Sequence, residues 1–320
     1  MHGNFPQNSL EAYGATSAAL ARGEERLAMS ANRPALLARI RMLETEALGT
    51  LEGETVRDDQ LALDHGHSQS AWRRWPYAFA QVFARPLPAR GLPNAEVVHR
   101  WLHEASAETD PAPTRPPIVV YEDRLKAWER HCSAAQAQAP LLAAADLAAA
   151  FARFAPLSRG NAVIGVMLGE SCVKPVRRYS SGGIAAIGLS QRQLPWLGLL
   201  AERDDGEADD ISAPGLTARR RHAWLEALAA GGIAVVELAR RVDQWTKVVE
   251  TACATKRSSS RLRRVAELAA EAPSLTATRL AGLLGISRQG ATLLLNEARD
   301  RQIVREVTQG NAFRRYAAAI

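Results

Sequence analysis

The stretch that most constrains this chain runs from Ser274 to Arg299, SLTATRLAGLLGISRQGATLLLNEAR. Two segments of helical period meet there around Gly285-Ile286-Ser287. Leu280, Leu283 and Leu284 recur at i, i+3 and i+4, Thr276 stands before them as an N-cap, and Gly285 supplies the left-handed residue that ends a helix. Ile286 is expected to enter the core. Ser287 caps a second helix whose Ala291, Leu294, Leu295 and Ala298 fall on one face, leaving Arg288, Gln289, Thr292 and Asn296 on the other. Short polar and basic side chains at the start of a second helix are what a helix-turn-helix offers to the DNA major groove. The alternative is an ordinary helical hairpin inside a larger helical body.

The residues on either side favour the first reading. Thr255–Arg264, TKRSSSRLRR, is basic and serine-rich and leads into a further helix. Arg261, Arg263 and Arg264 would lie along phosphates, or simply solvate a flexible linker. After the second helix, Ile303–Thr308 alternates like a strand, Gln309-Gly310-Asn311 makes a turn, and Ala312–Tyr316 forms a return strand. A hairpin there is a wing, which would put Asn311, Arg314 and Arg315 beside the DNA backbone or in the minor groove. From Thr255 to Ile320 the chain has twelve Lys/Arg against five Asp/Glu, while the whole protein is only +6, so this segment holds the entire positive excess. A basic charge so localised points to nucleic acid.

At 320 residues there is room for two or three domains, and a composition dominated by Ala, Leu and Arg predicts a mostly helical protein. No run reaches the length of a membrane span. MHGNFPQNSL lacks the basic start and apolar stretch of a signal peptide, so a cytoplasmic protein with no membrane partner is expected. Cys132, Cys172 and Cys253 have no paired spacing and read as buried thiols. Nothing in the sequence calls for a cofactor.

Upstream, Arg33–Leu48 is the first long helical pattern, with Pro34 in its first turn and an apolar stripe of Leu36, Leu37, Ile40, Leu43 and Leu48. His65 with His67 and His99 with His103 have metal-like spacing but no third ligand nearby, so packing or surface histidines are the better account. Trp72, Trp75, Tyr77, Phe79 and Phe83, interleaved with Arg73 and Arg74, would stack on bases or, more simply, pack on the core. Seven prolines between Pro86 and Pro117 mark a connector. The expected division is therefore 1–117 as a helical region with a Pro-rich connector, 118–254 as a helical core, and 255–320 as the terminal domain.

Within that core, Ile118–Tyr121 reads as a short strand, Arg124–Cys132 as a helix, and LLAAADLAAAFARF after Pro140 as another. Ala155-Pro156-Leu157-Ser158-Arg159-Gly160-Asn161 is a loop delivering an apolar helix through Leu168. A Gly-Asn turn at a helix start offers free N–H groups to a phosphate, or is a plain junction. Lys174, Arg177, Arg178 and Tyr179 follow as an anion pocket or a solvated basic face. ERDDGEADD is an acidic loop, and two helices are expected at Trp224–Ala229 and Val235–Cys253.

The 155–166 segment resembles the Fic family, whose motif is H-P-F-x-x-G-N-G-R-x-x-R. Pro156, Gly160 and Asn161 match. Ala155 stands where that family has its basic histidine, Leu157 for the Phe, Ala162 for the second glycine, and Val163 and Val166 for the two phosphate-binding arginines. Thr50-Leu51-Glu52-Gly53 resembles the family's inhibitory segment, in which a glutamate pairs with the second arginine; here Val166 occupies that arginine's place. The layout over most of residues 35–320 is similar to a bacterial family, frequent on rhizobial plasmids, in which a domain without assigned role precedes a helix-turn-helix. The shared features are PLSRGN, GIAAIGL and KRSSSRL. The resemblance implies a Fic-like helical body plus a C-terminal winged helix-turn-helix. It also implies that transfer chemistry is lost, because general-base and electrostatic contributions each carry orders of magnitude in rate. A transcriptional regulator that binds double-stranded DNA, with pairing into a homodimer to match two half-sites, follows. The rivals are an AMP-transferring enzyme with a remodelled loop and a protein-interaction module.

Overall fold

Hydropathy does not mark the first helix. In the computed structural model α1 spans Gln7–Met29. It buries Thr16, Ala19, Leu20, Gly23 and Leu27 at spacings of three and four. Three of these five are Thr, Ala or Gly, so the inward face is small rather than greasy and escapes a search for leucine stripes. The Thr16 hydroxyl lies 2.9 Å from the Leu225 carbonyl oxygen. The structure describes residues 7–51, 94–100, 119–135, 138–173, 180, 182–192, 196–201, 214–254, 259–308 and 314–320. His65, His67, His103, Glu52, the aromatic cluster from Trp72 to Phe83, and Lys174 to Tyr179 lie outside them.

α2 is Arg33–Leu51, three residues longer than expected. α3 is Glu122–Ala135, α4 Pro140–Phe154, α5 Asn161–Ser171, α6 Ile184–Arg192, α7 Trp196–Ala201 and α8 Pro214–Ala254. The terminal segment is α9 Ser259–Glu271, β1 Leu275–Thr276, α10 Ala277–Leu284, α11 Arg288–Asp300, β2 Val304–Glu306 and β3 Arg315–Ala318. The protein is mostly helical, as its composition predicts. It divides into two compact units, the first built from Met1–Glu25, Leu43–Glu54 and Arg73–Val235, the second from Arg26–Met42, Thr55–Trp72 and Val236–Ile320. The expected 254/255 boundary therefore falls inside the second unit.

In the first unit, small residues let helices approach backbone to backbone. Alanine fills the inward face of α4, and a Cβ added at Gly165 or Gly169 of α5 would come within 2.6 Å of the Ala148 or Ala144 carbonyl oxygen. A Cβ at Gly188 of α6 would come within 1.8 Å of the Ala227 oxygen, and one at Gly231 of α8 within 2.0 Å of the Ile184 oxygen. Trp128 closes the α3–α4 side, meeting Phe151 edge-on at 5.2 Å and donating to the Leu147 carbonyl at 3.2 Å.

Two sequence expectations are corrected by α8. It is one helix of 41 residues rather than two, running through Gly231, which packs against the Ile184 carbonyl oxygen. It is also long and apolar enough to cross a membrane over Thr217–Ala254, although 67% of its most apolar window is buried inside the protein. Among the described residues it is the one helix that meets that test.

In the second unit, the later half of α8 and the early half of α2 carry the terminal elements. Trp245 donates through Nε1 to the Ile303 carbonyl at 2.8 Å, Arg301 to Ala252 O at 2.6 Å, and buried Arg39 to Ala269 O at 2.6 Å. The three strands form an antiparallel sheet in the order β1-β3-β2. Val304 pairs with Ala318 and Glu306 with Tyr316, while Leu275 of β1 pairs with Tyr316 from the other side. The described part of the return strand is Arg315–Ala318, Ala312 and Phe313 lying outside the described residues, and β1 is a strand that two residues of sequence could not announce.

Candidate functional site

The α10–α11 pair is built by local chemistry at four consecutive points. Thr276, in extended backbone, accepts the Arg279 N–H at 3.2 Å through its hydroxyl and starts α10. Gly285, at φ 62°, ends it and returns its N–H to Ala281 O. Ile286 then bonds back to the same oxygen at 3.1 Å. Ser287, again extended, accepts the Gly290 N–H at 3.1 Å and starts α11. Such caps are each worth about 1 kcal/mol and fix where a helix begins. Ala291, Leu295 and Ala298 are fully buried and Leu294 is half-buried. Ile286 is only half-buried, and Leu283 is 53% exposed, so α10 rests chiefly on Leu280.

The outward face of α11 has the side chains that the sequence names, with two qualifications. Ser287, Arg288, Gln289 and Thr292 are exposed. The Thr292 hydroxyl donates to the Arg288 carbonyl at 2.9 Å, which leaves its oxygen as an acceptor, and its methyl, to an approaching ligand. Asn296 is half-buried, and its Oδ1 accepts from the Tyr316 hydroxyl of β3 at 3.1 Å. That bond ties α11 to the sheet and leaves the amide NH2 and one lone pair of Oδ1 for another partner. Between them stands a residue that the sequence reading passed over. Leu293 is 65% exposed, one turn from Gln289 and from Asn296.

The basic residues divide into two groups. Leu262, Val265, Ala266, Ala269 and Ala270 turn inward on α9, which leaves Arg261, Arg263 and Arg264 exposed on its other side. Arg264 lies 2.8 Å from Glu267, a surface pair of about 0–1 kcal/mol. Arg279 on α10 and Arg305 on β2 are exposed as well, and the sequence reading named neither. In the hairpin, Arg314 is exposed at 3.5 Å from Glu306. Arg315, expected beside the DNA, is instead 4% exposed: β3 is the central strand between β1 and β2, and all four of its residues are buried. It is not available to a phosphate. Asn311 lies outside the described residues.

The 155–161 loop is bonded to the protein around it. Ala155 ends α4 at φ 45°, a left-handed position for a residue with a Cβ. Asn161 accepts the Leu157 N–H at 2.9 Å and donates to the Leu157 carbonyl at 2.8 Å. The Ser158 N–H goes to Val119 O and the Tyr121 N–H to Pro156 O, so the expected strand is an isolated bridge between Val120 and Leu157. Val163 and Val166 are fully buried in α5. The loop amides of Leu157 and Ser158 are therefore committed internally, and nothing ionisable stands at 155, 163 or 166.

One polar cluster of the first unit was not legible in the sequence. Glu44 of α2 and Glu170 of α5, both buried, converge on Ser180 at 2.5 Å and 2.9 Å from its hydroxyl oxygen. Glu170 also accepts the Ala185 N–H at the start of α6, while Gly182 donates to the serine oxygen at 2.8 Å. Burial, then the neighbouring Glu44, pushes the Glu170 carboxyl up to about 8. A hydroxyl has one proton. A protonated Glu170 can donate to Ser180, which donates to Glu44, and the chain of bonds is complete. Among the described residues no three His, Cys, Asp or Glu side chains converge as a metal site would require.

No known protein family's sequence model matches this chain, and no curated protein sequence matches it.

Proposed function

We propose that this protein binds double-stranded DNA through a C-terminal winged helix-turn-helix and acts as a transcriptional regulator. The observation that carries the reading is the start of α11. Its first turn is capped by Ser287, its inner face is buried, and Arg288, Gln289 and Thr292 are exposed there together. Arg pairs with guanine and Gln with adenine in the major groove. Arg261, Arg263, Arg264 and Arg314 are cations for the phosphate backbone, joined by Arg279 and Arg305. β2 and β3 take the part of the wing.

The upstream body is read as a Fic-like scaffold without nucleotidyl transfer. Ala155 has no group to take a proton, and the fully buried Val163 and Val166 support the loss of the phosphate site. Label transferred to protein from a nucleotide marked at its α-phosphate would overturn this part.

The main test is binding to fragments of the protein's own replicon over a salt series. Tight binding that weakens steeply with salt is expected. Arg288→Ala or Gln289→Ala should cost about 1–3 kcal/mol on the preferred site and relax the choice of base, whereas Arg263→Ala should weaken all duplexes alike. Binding that is absent, or insensitive to salt, ends the reading.

A further inference from the structure

We infer that Leu293 reads the 5-methyl group of thymine, so that the preferred DNA site contains an A·T pair selected through an apolar contact. The inference rests on the DNA reading of α11 above and adds a specificity-determining residue to it.

Leu293 is two-thirds exposed on a helix whose other leucines turn inward, so a partner that covers it gains the free energy of burying a leucine side chain. Its setting indicates what that partner is. Around α11, Leu293 lies one turn from Gln289 and from Asn296, along the Gln289 side of the outward stripe. A second protein surface would have to bury Gln289 along with it and leave its amide without water. The major groove suits the mixture. It presents acceptors and donors for Arg, Gln and the Asn296 amide, and one apolar group, the thymine methyl. Thr292 agrees with this. Its hydroxyl proton is committed to the Arg288 carbonyl, so what this exposed side chain keeps for a partner is an acceptor oxygen and a methyl. The face thus combines donors with apolar groups, and a thymine whose paired adenine is held by Gln289 satisfies both kinds at once. The exposed cations of the same unit, Arg279, Arg288 and Arg305, match the charge of the same partner.

The experiment uses the full chain. Duplexes are selected from a random pool, and in the recovered site each thymine is replaced in turn by deoxyuridine, which lacks only the methyl. Affinity is measured for the wild type and for Leu293→Ala, whose exposed position leaves folding intact. At one or two thymines, uracil should weaken wild-type binding by roughly four-fold, the value of one buried methyl-sized group. Leu293→Ala should weaken the unmodified site by at least as much, and at those thymines the two losses should not add. The inference is overturned if every uracil substitution costs the two proteins equally, or if Leu293→Ala binds all duplexes as the wild type does. It is also overturned if Leu293→Ala instead splits a dimer in sedimentation, which would give the leucine to a second copy. Failure of the wild type to bind any duplex with salt sensitivity removes the DNA reading itself, and is seen before any variant is made.

Discussion

Helix starts in the two units solve the same problem in opposite ways. Each first turn exposes N–H groups that need acceptors. In the first unit the acceptors are brought in from elsewhere: Glu170 of α5 receives the first N–H groups of α6, and α5 itself follows a left-handed Gly160 with Asn161 laced to Leu157. In the second unit α10 and α11 cap themselves, through Thr276 and Ser287. The first arrangement makes a buried, interlocked scaffold. The second leaves a helix start both satisfied and open, as a surface for recognition must be. A glycine-then-polar sequence alone does not distinguish them; burial of the following helix does.

The contrast is sharpest in its dependence on pH. The Glu170 carboxyl is raised from an ordinary value near 4.5 to about 8 by burial and by Glu44. The folded protein therefore keeps a proton that the unfolded chain releases. Stability from this group is complete below about pH 4.5, is lost as pH rises towards 8, and changes no further above it. The loss is on the order of a few kcal/mol across the window. Glu170→Gln keeps a donor for Ser180 and an acceptor for Ala185 without the titration, so urea unfolding of the variant should show a flatter pH profile and higher stability on the alkaline side. A wild-type profile that rises over that window would refute the shared-proton arrangement.

Next in size is the packing behind these starts. At Gly165 a methyl would meet the Ala148 carbonyl at 2.6 Å, backbone that cannot step aside. Gly165→Ala should destabilise by about 3 kcal/mol, read as a lower urea midpoint. At Gly282 of α10 nothing lies within 4 Å, and the same change should stabilise by up to about 1 kcal/mol through helix propensity. Equal effects at the two glycines would erase the distinction between the units. Asn161→Ala removes two bonds and strands the Leu157 N–H in a buried loop, a loss of about 2 kcal/mol.

What the sequence disclosed follows the same division. The α10–turn–α11 caps, the left-handed Gly285 and the buried Ala291, Leu295 and Ala298 were all legible, because local rules decide them within a few residues. Arg315 was misjudged, since its burial depends on β3 lying between two strands, and one of those, β1, is two residues long. α1 was missed because Thr16, Ala19 and Gly23 bury without being strongly hydrophobic. Glu44, Glu170 and Ser180 come together from distant parts of the chain, and no spacing rule joins them. Leu293 was hidden by its neighbours: in LLL a helical period assigns two inward, and only the structure says which is left outside.

The smallest expected effect bears on whether the open helix start is a binding surface or merely an exposed one. Ser287→Ala removes the hydroxyl that accepts the Gly290 N–H, costing about 1 kcal/mol of stability. The unfolding midpoint alone cannot separate the two accounts, because both predict that loss. DNA affinity can. If α11 enters a groove, fraying its first turn moves Arg288 and Gln289 together, so affinity for the preferred site should fall by more than affinity for random duplex. Ser287→Asp keeps the cap and restores stability, but brings a carboxylate toward the phosphates and should bind all DNA poorly. Recovery of stability without recovery of binding is the expected pair of results. Binding that follows stability through both variants would mean that the face of α11 contributes only its fold.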